Sequence, residues 1–284
     1  MRFNQEHLFF ESQGRQLFAA LFLPDPEIPA TEGFVICSPF AEEKKSSQRM
    51  LVDLGGTLAA GGIPILLFDY LACGDSEGEL KEATLTTWIR NTRDAINLLK
   101  TRSTVEKVGL IGLRLGCYMA LSALKECENS STAVFIEPVL DPGIYFKHAL
   151  RQKLMKELIT DGKTSSRRDE LINQLAASEF IDFDGYEISP LFYADLQRQE
   201  DLTSTLKDLG IRTLIIHVTP TGKPTRNFQK IMNEASSNEK LCLKQIRLDP
   251  FWDRIDNPVY RPVIDEIVGS GNRRQETGDR KIND

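Results

Sequence analysis

Surplus positive charge, paired cysteines, histidine and long apolar runs are all scarce in this sequence, and each shortage closes off a class of function. Lysine and arginine number 35 against 41 aspartate and glutamate, a net charge of −6, so little is available to displace the counterions of a nucleic-acid backbone. No apolar run reaches the about 20 residues of a membrane-crossing helix. The first residues, Met1 to His7, hold no basic segment followed by an apolar one, so no secretory leader is expected. Five cysteines, an odd number without a CxxC pair, fit a reducing compartment, and the expected location is the cytoplasm. The three histidines are His7, His148 and His217. With no HExxH, Cys/His cluster or GxxxxGK[ST], and with GxxGxxxG from Gly109 to Gly116 in place of a dinucleotide fingerprint, neither metal nor cofactor is expected.

What remains is ordinary globular material: 284 residues, 41% hydrophobic and 27% charged, within reach of one large α/β domain. His7-Leu8-Phe9-Phe10 and 16–23 alternate as strands about a Gln13-Gly14 turn, which predicts an opening β-hairpin. The continuous apolar run Phe34-Val35-Ile36-Cys37 predicts a strand buried on both faces. Strand and helix periods then take turns, with helices at 44–60, 84–100 and 115–124 and strands at 63–68, 105–111 and 133–136. Such repeated βαβ units imply a mostly parallel sheet with helices on both faces. Between 142 and 206 the strand signal stops, and Leu150, Leu154, Leu158, Leu171, Leu175 and Phe180 suggest a helical insertion. Alternation resumes with strands at 212–218 and 241–248 and helices at 227–235 and 258–268. The expected organisation is a core of 1–141 and 207–268, a cap of 142–206, and a disordered tail of 269–284 with nothing to bury.

Val108 to Tyr118 carries the chemistry-bearing pattern. A strand runs into a helix through Gly112-Leu113-Arg114-Leu115-Gly116, spaced as in GxSxG. In a nucleophile elbow the flanking glycines let strand and helix pack around a strained turn that lifts the central side chain above the sheet. Here that side chain is Arg114.

On these residues, on the opening hairpin, on Cys37-Ser38-Pro39-Phe40 and on Asp69-Tyr70-Leu71-Ala72-Cys73-Gly74-Asp75-Ser76, the chain resembles the α/β-hydrolase superfamily over roughly 5–268. The last segment is similar to the family's DxRGxGxS turn, with Leu71 for Arg and Ala72 for Gly. The resemblance implies the α/β-hydrolase fold, a mostly parallel eight-stranded sheet with helices on both faces and a helical cap insertion. More narrowly, Phe40-Ala41-Glu42-Glu43-Lys44, the elbow, Glu137-Pro138-Val139 and Pro250-Phe251-Trp252 resemble the second type of exosortase A system-associated hydrolase. Members of that subgroup accompany exopolysaccharide and protein-sorting loci, which implies context rather than chemistry.

Acyl transfer on this fold needs a nucleophile, a base and an orienting acid. Arg114 stands at the nucleophile position and forms no acyl intermediate. The acid position falls near Thr221, and the base position near Trp252 and Asp253, without a histidine. His217 reads as part of a strand, and His148 alone is placed to swing over the site from the cap. Cys117 reads as a packed, inert thiol, Cys37 and Cys73 as the substitutes worth weighing, and Ser38 and Ser76 as explained by turn or capping hydrogen bonds. Glu137 or Asp141 is expected to pair with Arg114. Phe251 and Trp252 are expected to fill the space of a catalytic loop, with a ligand-stacking wall as the alternative. Phe40, Arg114, Leu115, Glu137, Asp141 and Trp252 are therefore the candidate ligand-binding residues.

The leading expectation is a triad-less protein that works by binding or assembly. Its ligand would be a small anion held by Arg114 and the Leu115 amide at a helix N-terminus, or an acyl or sugar group, with a protein partner also open. The alternative is an esterase or thioesterase-like acyl hydrolase with a relocated nucleophile.

Overall fold

The computed structural model describes residues 2–127, 130–161, 179–254, 256 and 258–278. Strands β1 (Phe3–Ser12) and β2 (Arg15–Pro24) form the opening hairpin, with Gln13 and Gly14 at φ 53° and 77° in the turn. Helix α1 (Ala41–Ala60) follows β3 (Glu32–Cys37) and leads to β4 (Ile65–Phe68), then α2 (Leu85–Ser103) and β5 (Lys107–Leu113). Helix α3 (Gly116–Leu124) and β6 (Ser130–Ile136) complete the first half. After the cap come β9 (Arg212–Thr219), α6 (Arg226–Ala235), β10 (Leu241–Arg247) and α7 (Arg261–Gly278). The eight-stranded sheet runs β1-β2-β4-β3-β5-β6-β9-β10. Within this sheet, among the described residues, only the β1/β2 and β2/β4 pairings are antiparallel. This is the mostly parallel sheet that the alternating periods predict.

Two buried cores sandwich the sheet, because successive strand side chains point to opposite faces. In β3, Val35 and Cys37 join Trp88 of α2, Met119 of α3 and Phe228 of α6 on one face. Phe34 and Ile36 join Leu51 of α1 and Ile264 of α7 on the other. Helix α2 starts where Thr84 accepts from the Thr87 amide and stops at left-handed Thr104, a side-chain N-cap and an αL C-cap.

The cap departs from expectation. Its described parts are α4 (Pro142–Asp161), β7 (Ile181–Phe183), β8 (Tyr186–Ile188), α5 (Pro190–Arg198) and a 3₁₀ turn at Thr203–Asp208. The insertion is therefore not purely helical. Asp184 and Gly185, at φ 51° and 88°, turn the β7–β8 hairpin, as an Asp-Gly pair at positive φ favours. Phe180, expected on a helix, precedes β7, while Leu171 and Leu175 and the Leu158 side chain lie outside the described residues. Helix α7 also runs past Val268 to Gly278, through part of the segment expected to be disordered. Gly269, Ser270 and Gly271 lower helix propensity without breaking the hydrogen-bond ladder, and no proline follows. Residues 279–284 of the expected tail lie outside the described residues. No helix among the described residues is long and apolar enough to cross a membrane.

Candidate functional site

The elbow forms because two glycines leave no room for anything else. A Cβ on Gly112 would sit 2.5 Å from the Cys117 Cα, and one on Gly116 would sit 2.0 Å from the Cys37 carbonyl oxygen. Between them Arg114 takes φ 54°, a left-handed conformation that costs a non-glycine residue about 1 kcal/mol or more. The turn is tied to β6: the Arg114 amide donates to the Ile136 carbonyl at 3.0 Å, and the Val139 amide donates to the Arg114 carbonyl at 3.2 Å.

The Arg114 side chain turns to α1. Its Nε and Nη2 donate to Glu43 Oε1 at 3.1 and 3.0 Å, with side chains only 20% and 14% exposed. The guanidinium carbon lies 5.3 Å from the Trp252 ring centre and 5.7 Å from that of Tyr145, within cation–π range. Burial works against the charge of Arg114, but Glu43, with smaller help from Tyr145 and Glu137, outweighs it and holds the guanidinium above the ordinary arginine range. Burial likewise pushes the Glu43 carboxyl up, against the pull of Arg114. Glu43 Oε2 is buried and accepts no hydrogen bond of good geometry.

The expected partners of Arg114 are engaged elsewhere. Glu137, at φ 44° after β6, accepts at Oε2 from His217 Nδ1 at 2.7 Å and from the Val218 amide at 2.9 Å. His217 Nε2 in turn accepts from the Thr225 amide at 3.3 Å. With Nε2 accepting there, Nδ1 is the ring nitrogen that donates to Glu137. The ring is fully buried and stacks 4.1 Å from Phe228, so His217 is a structural bracket sealed from any substrate. Asp141 caps α4, accepting from the Ile144 amide at 2.8 Å. Glu43 took the role because α1 starts at Ala41, not Lys44, which sets Glu43 in the first helical turn above the elbow. Two acidic residues in that turn, favoured by the helix dipole, were the available signal.

The other candidates scatter. Thr221 Oγ1 accepts from the Lys223 amide in the loop after β9. Trp252 and Asp253 lie on the 3₁₀ turn Phe251–Asp253, and Trp252 is buried as a lid over Arg114. Phe40 packs among cap aromatics, 5.5 Å from Phe192. Leu115 is buried at the N-cap of α3. His148 is exposed on α4, and His7 sits on β1 beside Gln5. Ser76 does have turn bonds, donating to the Asp69 carbonyl at 2.7 Å and accepting from the Phe18 amide. Ser38 does not: its hydroxyl is buried without a partner among the described residues. Among the described residues, no group of three or more His, Cys, Asp or Glu is placed to hold a metal ion.

Burial pushes the Cys37 and Cys73 thiols up to about 12 and drives Cys117 upward too. Thiolate at Cys37 and Cys73 therefore forms only as pH climbs towards that value, and the protonated thiol is a poor nucleophile. With iodoacetamide at pH 8, exposed Cys242 is expected to be alkylated well before Cys37, Cys73 or Cys117, read by peptide mass mapping. Labelling of Cys73 as fast as Cys242 would contradict that ordering.

This sheet order, elbow and cap define an α/β-hydrolase fold. No protein-family model matches the sequence, and no curated protein matches it. Solved structures do. The chain is similar to Est1E from Butyrivibrio proteoclasticus, solved with ferulic acid, at 18% identity and TM-score 0.68 over 95% of this chain and 99% of that one. It is similar to the α/β hydrolase GrgF from Penicillium sp. sh18, at 17% identity and TM-score 0.62 over 96% and 97%. It is also similar to the Pyrococcus furiosus esterase Pf2001, at 14% identity and TM-score 0.61 over 96% and 90%. At such identities the likeness shows the fold.

Proposed function

We propose that this chain is a non-hydrolytic α/β-hydrolase-fold protein, a binding or assembly component. Its resemblance to the second type of exosortase A system-associated hydrolase would set it beside exopolysaccharide and protein-sorting machinery. One observation carries the reading: the elbow side chain is Arg114, and its guanidinium is spent on Glu43 beneath Trp252. The guanidinium is no nucleophile and the Glu43 carboxylate is tied to it, whereas covalent acyl transfer from the elbow requires a nucleophile there with a proton-accepting partner within about 3 Å. The pairing also argues against an anion at Arg114, because Glu43 already supplies the negative charge. A ligand or partner protein then binds at another surface.

The test is hydrolysis of short and long p-nitrophenyl and thioester acyl substrates by the purified protein and by Arg114→Ser. Both are expected to match the rate without protein, since serine alone in the elbow has no base to take its proton. Saturable turnover by the wild-type chain, abolished by one cysteine or cap substitution, would overturn the reading in favour of a relocated nucleophile.

A further inference from the structure

A cleft of ≈ 480 Å³ opens between the start of α1, the turn after β4 and the cap hairpin. Arg114 does not line it, and its volume is in the usual range of small-molecule sites. Phe40, Leu80 and the ring of Tyr186 give its lining apolar surface, and Lys44, Gln48 and Asp75 give it polar groups. At its base Lys44 Nζ meets Asp69 Oδ1 at 2.6 Å, with side chains 16% and 11% exposed. Asp69 Oδ2 accepts from the Asp75 amide at 3.1 Å. The turn is shaped around this pair: Gly74 sits at φ 55°, and a Cβ there would lie 1.9 Å from Asp69 Oδ2.

Charge decides what such a cleft can hold. Lys44 is matched by Asp69, Lys45 lies 3.7 Å from Glu42, and Asp75 stands at the mouth. Glu42 and Glu43 in the first turn of α1 already answer its positive end. Neither an anion nor a cation gains net attraction here. What the cleft does offer is donors and acceptors, some held by an ion pair, together with aromatic and aliphatic surface. Among the described residues the Gln48 and Asp75 side chains carry no protein hydrogen bond, and Lys44 keeps N–H groups beyond the one on Asp69. Hydroxyl groups that donate and accept at once, on a ring whose C–H face lies against apolar surface, match that pattern.

We propose that this cleft binds a neutral carbohydrate of one or two sugar rings. The site is separate from the elbow, so it stands whether or not the protein hydrolyses esters. The test is an amide chemical-shift titration of the full chain with methyl glycosides of glucose, mannose, galactose and N-acetylglucosamine, with a neutral trisaccharide, and with glucuronate and glucosamine. At least one neutral sugar is expected to shift residues 44–48 and 69–75 with a millimolar midpoint, and the charged sugars to bind more weakly. Gln48→Ala, on an exposed helical position, and Tyr186→Ala are each expected to raise the midpoint about tenfold. A trisaccharide preferred over its monosaccharide would point to a chain end as the ligand and equal response to a free sugar, both in support. Silence from every neutral sugar at 100 mM, stronger binding of glucuronate or glucosamine, or a midpoint unmoved by both variants would overturn the proposal.

Discussion

Replacing Arg114 by methionine is expected to destabilise the fold by about 3–5 kcal/mol, while adding Glu43→Leu to the same chain recovers most of the loss. The asymmetry comes from desolvation. With both partners present, Glu43 is only 14% exposed and has two N–H donors on Oε1. Removing Arg114 strands a carboxylate among Tyr145, Trp252 and the field of Asp253, and a buried charge without its counter-ion costs far more than the net value of the pair. Replacing both by apolar side chains removes the stranded charge as well. The single variant carries a pH signature. Its Glu43 pKa in the folded state lies above the unfolded value, so the penalty is present above that folded pKa and fades as pH falls through it. Urea unfolding at pH 7 and pH 5 measures all three quantities. Additive single losses in the double variant would show that the two side chains are not coupled.

Gly116→Ala is expected to be worse, beyond about 4 kcal/mol, with little soluble protein recovered. Helix propensity pulls the other way, since alanine gains up to about 1 kcal/mol over glycine inside a helix. Sterics overwhelm it. The added carbon would stand 2.0 Å from the Cys37 carbonyl oxygen, 2.7 Å from its carbon and 2.8 Å from the Ser38 carbonyl oxygen. All three are backbone atoms and cannot rotate away, so relief requires α3 to separate from the end of β3 within a close-packed core. Gly210→Ala, where nothing lies within 4 Å, is the control. Equal melting temperatures for the two variants would refute the packing argument for the elbow.

Local pattern made the fold legible. The continuous run at Phe34–Cys37, the helical spacing of Met50, Leu51, Leu54 and Leu58, and the paired elbow glycines each report a period or a steric demand within a few residues. The β7–β8 hairpin was readable too, since Asp184-Gly185 between alternating Ile181, Phe183, Tyr186 and Ile188 is a hairpin signal. Its arms are three residues each, too short for a period to stand out from the flanking helical pattern. The site was legible only at its centre. That Arg114 occupies the elbow is a statement about neighbours in sequence; that Glu43 rather than Glu137 neutralises it depends on where α1 begins in space relative to the elbow. His217 looked like strand filler because its partners, Glu137 and Thr225, come from two other segments.

The sheet order has a consequence for how the chain assembles. Strand β6 lies directly against β9, in register from Thr132 with Arg212 to Ile136 with Ile216, although the whole cap separates them in sequence. At equilibrium this is inexpensive, because each doubling of a closed loop costs only about 0.6 kcal/mol. In time it is not, since long-range parallel pairing must wait for its partner. During synthesis the strands from β1 to β6 emerge first, and the open edge of β6 faces solvent until the cap and β9 have followed. A growing chain therefore presents a buried-type strand edge, Ala133-Val134-Phe135-Ile136, for the time needed to translate the insertion, and that interval is its main exposure to misassembly.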